Sequence, residues 1–343
     1  MSPKHVAIVG ATGAVGRTLL SILAERRFPV GRLTLLATTR SAGERVLALG
    51  DEHPVHEVTP ERLEGHDFVF FSAGTDGARR WAPAAVERGA VVIDNSYAFR
   101  MEPGIPLVVP EVNGHALGPE ARLIANPNCS TIQLVLVLAP IARHVGLERI
   151  VVSTYQSVSG TGIEALGELE SQVAGDARGV VPEPRVYPHP IAFNVVPQVD
   201  DFVDGGYTRE ERKLVDETRK ILEQPELRLT ATTVRVPVRV AHSEAVNLSL
   251  SRSVSAAEAR AWLAQAPGVV VVDDPARSAY PTPLAAAGRD EAFVGRIRVD
   301  ESQPAGLDLW ISCDNLRKGA ALNAVQIAEQ VLARSPAPTG RAS

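Results

Sequence analysis

The chain has 343 residues, 45% of them hydrophobic, and a formal net charge of −5. Such a length suits two domains, the apolar content rules out global disorder, and the mild acidity gives nucleic acid no general reason to bind. Two cysteines, Cys129 and Cys313, make no disulfide framework, so a reducing compartment, the cytoplasm, is the expected location. The start, Met1-Ser2-Pro3-Lys4-His5, reads straight into a strand with no signal peptide, and no apolar run reaches membrane-spanning length.

Val6-Ala7-Ile8-Val9 reads as a first strand ending at Gly10, followed by a helix from about Val15 to Arg27 that Pro29 and Gly31 terminate. Strands follow at Arg32–Ala37, Phe68–Phe71 and Val91–Asp94, with a helix carrying Trp81 and Val86 before the last. Apolar strands alternating with helices predict a parallel sheet covered on both faces, a Rossmann-type domain. From Ile150 the pattern changes to period two, in Ile150–Gln156, Thr230–Val236, Ala245–Leu250, Phe293–Val299 and Leu307–Ile311. That patterning predicts an α+β domain with a mostly antiparallel sheet and helices near Gly162–Val173, Thr208–Leu222 and Ala256–Ala264. Residues 174–206 are Pro-rich and irregular, as expected of a functional loop or a subunit interface. The expected division is 1–131 for cofactor, 132–318 for catalysis and dimerisation, 319–333 as a helix returning to the first domain, and a frayed tail at 334–343.

Gly10-Ala11-Thr12-Gly13-Ala14-Val15-Gly16 follows a strand and opens a helix. Gly10 permits the tight turn, Gly13 lets main chain approach a pyrophosphate, and Gly16 allows close helix–strand packing. At the end of the second strand an NAD site usually carries an acid for the ribose 2′-hydroxyl. Here Thr38, Thr39, Arg40 and Ser41 stand instead, and hydroxyls with a guanidinium suit a 2′-phosphate, so NADP is the expected cofactor. A solvated turn with an incidental Arg is the plainer alternative. Ser72 ends another parallel strand, where dinucleotides lie.

Asn126-Pro127-Asn128-Cys129-Ser130-Thr131 precedes the apolar run Ile132–Leu138, which places the Cys129 thiol at a helix N-terminus. Amide groups and the positive end of the helix dipole favour a thiolate there and can hold an oxyanion. A buried, inert Cys is the plainer reading. Thiol and nicotinamide together suggest thioester chemistry at an aldehyde carbon, which needs a base and oxyanion donors. His242, after Arg235-Val236-Pro237-Val238-Arg239-Val240-Ala241, is the candidate base, against a surface His at a strand end. Gln156 can donate to a carbonyl oxygen, and the Ser157–Gly162 turn beside it is either a ring platform or a simple helix cap. Arg100 and Lys213 look like anion ligands; Glu210 and Lys213 share a helix face, where a solvated salt bridge is the usual outcome. Arg235, inside an apolar strand, needs a partner such as a substrate carboxylate. Scattered His and two distant Cys give no metal-ligand spacing.

These motifs, with Phe193-Asn194-Val195-Val196-Pro197-Gln198, Phe293-Val294-Gly295-Arg296-Ile297-Arg298 and Asp314-Asn315-Leu316-Arg317-Lys318-Gly319-Ala320-Ala321, resemble the aspartate-β-semialdehyde dehydrogenase family from Gly10 to about Gln330. The resemblance implies interconversion of 4-phospho-L-aspartate and NADPH with L-aspartate 4-semialdehyde, phosphate and NADP⁺, in the biosynthesis of lysine, threonine, methionine and diaminopimelate. It implies Cys129 as acyl-thioester nucleophile, His242 as acid/base and Gln156 as the residue positioning the reacting group. It gives the α-carboxylate to Arg235, the amino group to one of the neighbours Glu210 and Glu211, of which Glu210 is chosen for its spacing to Lys213, and the phosphate to Arg100 and Lys213, with Asn128 beside them. Contacts to NADP would come from Gly10, Thr12, Gly13, Ala14, Val15, Thr38, Arg40, Ser41, Ser72, Ser159, Gly160 and Asn315. A homodimer through the second domain is implied, with 174–206 contributing, and neither a nucleic-acid nor a membrane partner. An N-acetyl-glutamyl-phosphate reductase shares this plan but would be expected to carry Gly before and an aromatic after its Cys, unlike Asn128-Cys129-Ser130. A non-catalytic NADP-binding relative would be expected to have lost its nucleophile or base.

Overall fold

A computed structural model of the chain describes residues 2–180 and 183–334. The frayed tail expected at 334–343 falls, beyond Arg334, outside the described residues. The chain divides into two compact units, residues 2–127 with 321–334, and residues 128–320.

In the first unit β1 (Lys4–Val9) leads into α1 (Ala14–Glu25) and β2 (Val30–Ala37). A short hairpin follows, β3 (Arg45–Ala48) and β4 (Asp51–Glu57), then β5 (Phe68–Phe71), α2 (Gly74–Glu87), β6 (Val91–Asp94), the single turn α3 (Pro110–Asn113) and β7 (Leu123–Ala125). The seven strands lie in the order β3-β4-β2-β1-β5-β6-β7, parallel except for the β3–β4 pair. This is the doubly wound sheet that the alternating pattern requires. The hairpin is an addition: its segments are short and polar, and only Val46, Ala48 and Val55 bury an apolar side chain. Gly31, expected as a helix stop, instead lies inside β2, where a Cβ would come within 2.5 Å of Pro3.

The second unit begins with α4 (Cys129–Val145), then β8 (Leu147–Gln156), α5 (Ile163–Asp176), α6 (Arg209–Ile221), β9 (Arg228–Arg235) and β10 (His242–Leu250). It closes with α7 (Ala256–Ala264), β11 (Val269–Val271), α8 (Pro283–Ala286), β12 (Ala292–Asp300) and β13 (Gly306–Cys313). Its sheet runs β11-β12-β13-β10-β8-β9. The three inner pairings are antiparallel, as period-two patterning suggests, while both outer pairings, β11–β12 and β8–β9, are parallel. α4, α6 and α7 cover one face. On the other, the rings of Tyr155 and Trp310 meet at a tilt, with centroids 5.3 Å apart, and stay partly exposed.

The irregular stretch is tied to α5 rather than loose. Glu168 accepts hydrogen bonds from the amides of Arg185 and Val186, and Gln172, one turn on, accepts from those of Ile191 and Ala192. Two side chains of one helix face thus satisfy four main-chain donors that no sheet provides for. Finally α9 (Leu322–Arg334) returns to the first unit, where Leu322, Val325 and Ile327 join its core. No helix among the described residues is long and apolar enough to cross a membrane.

Candidate active site

The second unit gathers the residues for chemistry around the start of α4. Asn128 is the N-cap: its Oδ1 accepts from the amides of Ser130 at 2.9 Å and Thr131 at 3.3 Å. Capping of this kind is worth about 1 kcal/mol and fixes the first turn on which Cys129 stands. The same side chain also faces outward, donating from Nδ2 to Glu210 Oε1 at 2.8 Å, while the Asn128 amide donates to buried Glu217 at 2.7 Å. Gly319 packs against Cys129; a Cβ there would sit 3.1 Å from Cys129 Cβ.

The two adjacent carboxylates have different partners. Glu211 is spent on structure: with Thr208 it closes the capping box of α6, and it also accepts from the Thr233 amide. Glu210 instead collects Asn128, Gln156 at 3.2 Å and Lys213 at 3.1 Å. Burial pushes the Glu210 carboxyl up, but Lys213, Asn128 and Arg235 together outweigh it and bring it down to about 2. It is therefore a buried anion. Lys213 also pairs with Asp200 at 2.7 Å.

Gln156, expected to position the reacting group, has two partners here. Its Nε2 donates to Ser130 Oγ at 2.9 Å as well as to Glu210, because a buried carboxylate draws donors from whatever lies beside it. Its amide thus ties α4 to α6.

His242 begins β10 and is fully buried. The Ser157 amide donates to its Nδ1 at 3.0 Å, and Nε2 has no partner among the described residues. Burial above all, then the Arg235 charge, hold the ring down to about 3 against the opposing pull of Glu210. Arg235 donates from Nη1 to the Ser157 carbonyl at 2.7 Å, and its Nε is buried without a partner among the described residues. At Gly160 a Cβ would meet Arg235 Nη1 at 3.0 Å and His242 Nε2 at 3.2 Å, so glycine lets both side chains lie close against the main chain there. Asn315, expected at the cofactor, lies behind His242: its Oδ1 accepts from the Ala241 amide at 2.9 Å and its Nδ2 donates to Ser159 Oγ at 3.0 Å.

The remaining candidates belong to the first unit. Gly10 has φ +91°, and a Cβ there would strike the Ser72 carbonyl at 2.3 Å; at Gly16 one would strike the Gly10 carbonyl at 2.2 Å. At Gly13 the nearest such contact is 3.5 Å, and Gly13 gives α1 no side-chain cap. Main-chain donors of Ala14 and Val15, with Thr12 beside them, thus suit an anion such as a pyrophosphate. Thr38 precedes the short turn Thr39–Ser41 with Arg40 exposed on it, and Thr39 donates its hydroxyl to Glu57 at 2.9 Å. Arg100 donates to the carbonyls of Asn126 and Asn95 at 2.9 and 2.8 Å.

Sequence reasoning passed over Ser130, Ser157, Glu217 and Glu244. Glu217 lies two turns from Glu210 on one helix face, a signal that was present. Glu244 lies two residues after His242, paired with Thr154, so both point to the α4 face one step below His242 and Gln156. Gln133, one turn below Cys129, joins them. Burial raises the Glu244 carboxyl to about 8, against a weaker downward pull from Gln133 that makes no hydrogen bond of standard geometry. The Cys313 thiol is likewise pushed up by burial and by Asp314.

The chain's likeness to known proteins covers both units. Residues 5–119 match the family model described as semialdehyde dehydrogenase, NAD binding domain, and residues 138–318 the one described as semialdehyde dehydrogenase, dimerisation domain. Aspartate-semialdehyde dehydrogenase of Aquifex aeolicus (strain VF5) is 49% identical over 329 residues, which span 95% of this chain and 97% of that one. Among solved structures, aspartate semialdehyde dehydrogenase II of Vibrio cholerae complexed with ASA superposes with a TM-score of 0.93 at 44% identity, over 98% of this chain and 100% of that one. The Candida albicans aspartate semialdehyde dehydrogenase with NADP gives 0.75 at 26%, over 97% and 99%.

A neutral Glu244 has a stability consequence. Between about pH 4.5 and 8 the folded protein keeps a proton that the unfolded chain has released, so raising the pH favours unfolding by about 1.4 kcal/mol per unit from this group. His242, held down, contributes the opposite slope from about pH 3 to 6.5. The Glu244→Gln variant keeps His242 and loses only the first effect. Its stability relative to the parent, from urea midpoints, is expected to grow steadily over that upper window; parallel pH profiles would show that Glu244 is charged.

Proposed function

The chain belongs to the aspartate-semialdehyde dehydrogenase family, and on that footing we propose that it reduces 4-phospho-L-aspartate with NADPH to L-aspartate 4-semialdehyde and phosphate, reversibly, through a thioester on Cys129. The observation that carries the reading is the convergence on the capped end of α4: a thiol, a buried anion at Glu210 and a buried guanidinium with an unspent Nε at Arg235. That charge pattern matches the amino and carboxylate groups of an amino-acid substrate. The likeness to aspartate enzymes over nearly the whole chain favours this substrate over N-acetyl-glutamyl phosphate.

In this reading Cys129 attacks the acyl carbon, and the developing oxyanion lies at the positive end of the α4 dipole. Arg235 takes the α-carboxylate and Glu210 the ammonium. Lys213 and Arg100 receive the phosphate, Lys213 by exchanging its carboxylate partners for it. Gln156 and Asn128 hold Glu210 and the first turn of α4 in fixed relation. Bound NADPH would supply the hydride. Gly10, Thr12, Gly13, Ala14, Val15 and Ser72 would hold its pyrophosphate and nicotinamide half, with Ser159, Gly160 and Asn315 toward the ring. Thr38, Arg40 and Ser41 would select its 2′-phosphate.

Initial rates with L-aspartate 4-semialdehyde test substrate and cofactor together. Phosphate-dependent reduction of NADP⁺ is expected, with NAD⁺ a poorer acceptor, and Arg40→Ala is expected to raise KM for NADP⁺ about tenfold. Preference for NAD⁺ in the parent would refute the cofactor assignment, and inactivity with both would refute the function.

The half-exposed sheet face carrying Tyr155 and Trp310 supports a homodimer through the second unit, which matches the family's dimerisation domain. Sedimentation is expected to give twice the chain mass for the parent and the single-chain mass for Tyr155→Arg. A monomeric parent would refute the dimer, and a variant that stays dimeric would refute this face.

A further inference from the structure

Resting on the reading that Arg235 takes the substrate α-carboxylate, we propose that Tyr187 is a positioning residue for that contact: its ring orients and shields the Arg235 guanidinium, and residues 185–196 are the clamp that holds it there. The Pro-rich stretch thereby acquires a role at the substrate site of its own chain.

A guanidinium grips a carboxylate well only in plane, through two parallel N–H···O contacts. Arg235 does not fix that plane by itself. Among the described residues its side chain makes a single hydrogen bond, from Nη1 to the Ser157 carbonyl at 2.7 Å, while Nε is buried without a partner. One contact of that kind leaves the group free to turn about it. The main chain at Gly160 limits the turn on one edge, since a Cβ there would come within 3.0 Å of Nη1. Tyr187 supplies the further restraint. The guanidinium carbon lies over its ring, 5.9 Å from the centroid, at the outer reach of a cation–π contact. Burial pushes the Tyr187 hydroxyl up and the Arg235 charge pulls against it, so the two groups share one environment.

The ring is itself held. Its hydroxyl donates to Thr161 Oγ1 at 3.0 Å, in the turn that also carries Ser157 and Gly160. Tyr187 packs against the cluster of Val158, Leu169, Ile191 and Val196. Just before it, the amides of Arg185 and Val186 donate to Glu168 at 2.7 and 2.6 Å; beyond it, those of Ile191 and Ala192 donate to Gln172 at 2.8 and 3.0 Å. The stretch then reaches the main chain of Arg235. Val196 and Arg235 exchange both amide–carbonyl hydrogen bonds, at 2.9 and 2.8 Å. One segment thus grips Arg235 at its backbone through Val196 and faces its side chain through Tyr187, and two side chains of α5 set where that segment runs.

The consequence is confined to one group of the substrate. A half-buried ring beside a guanidinium that is 5% exposed keeps water away, which strengthens the attraction for a carboxylate. A guanidinium already held in place also needs less ordering when the carboxylate arrives. The α-carboxylate takes no part in bond making, so both effects act equally on the bound substrate and on the transition state. Loss of the ring therefore raises KM and spares kcat, the signature of uniform binding. Phosphate, assigned to Lys213 and Arg100, and the pyrophosphate of the cofactor, assigned to the Gly10–Gly16 turn, do not depend on Tyr187.

The test is steady-state kinetics of the full-length protein oxidising L-aspartate 4-semialdehyde with phosphate and NADP⁺, each reactant varied in turn. Tyr187→Leu keeps apolar bulk against Leu169 and Ile191 but has no π face. It is expected to raise KM for the semialdehyde about fivefold, with kcat and the KM values for phosphate and NADP⁺ within about twofold of the parent. Tyr187→Phe keeps the ring and loses only the bond to exposed Thr161, so its KM for the semialdehyde is expected to return to within about twofold of the parent. An unchanged semialdehyde KM in Tyr187→Leu, a parallel rise in every KM, a fall in kcat alone, or a Phe variant as impaired as the Leu variant would overturn the proposal. A parent that fails to turn over the semialdehyde at all would refute the functional reading, and the proposal with it.

Discussion

The N-terminus of α4 is the constraint on which the second unit depends. A helix start leaves amide donors that something must satisfy, and one side chain, Asn128, takes two of them. Because its Nδ2 is also committed to Glu210, the cap of one helix is welded to the second residue of another. Glu217 holds the Asn128 amide from two turns further along α6. Ser130, accepting from Gln156, brings in the end of β8. Cys129 is therefore placed by three elements at once, and a change in any of them is felt at the sulfur.

Charge is arranged around that point in opposite senses. Glu210 is a buried carboxylate kept ionised by a lysine, an arginine and an amide donor, whereas Glu244, buried in the layer beneath with neither oxygen hydrogen-bonded, is kept neutral. Two glutamates of one unit thus differ because one has a lysine and close donors and at the other burial outweighs a weak pull from Gln133. The negative charge stays where an ammonium group would be recognised, and none is added below the thiol.

Much of this was legible in the chain. Asn128 before Cys129 and a long apolar run is a helix start with a thiol on it, and the period-two segments located the strands that deliver Gln156 and His242. The glycine spacing at Gly10, Gly13 and Gly16 likewise has a steric meaning that the packing bears out, with Gly10 and Gly16 tightly enclosed and Gly13 open. What stayed hidden were contacts without a side-chain signature. The Ser157 amide on His242 is a main-chain interaction, invisible in residue type. The β3–β4 hairpin escaped because Leu47, its largest apolar residue, is 72% exposed, so the pattern carries almost no burial signal. Asn315 has a structural contact that the resemblance does not reveal: its carbonyl oxygen pins the strained residue before His242.

The account stands on covalent capture of the acyl group by the thiol at the end of α4. Mass spectrometry of the parent enzyme mixed with 4-phospho-L-aspartate, reductant withheld, tests it most directly, with Cys129→Ala as control. The expected result is an aspartyl adduct on the peptide containing Cys129, absent from the variant and discharged when NADPH is added. An active parent that never shows the adduct, or a variant that still turns over at the parental rate, would contradict it.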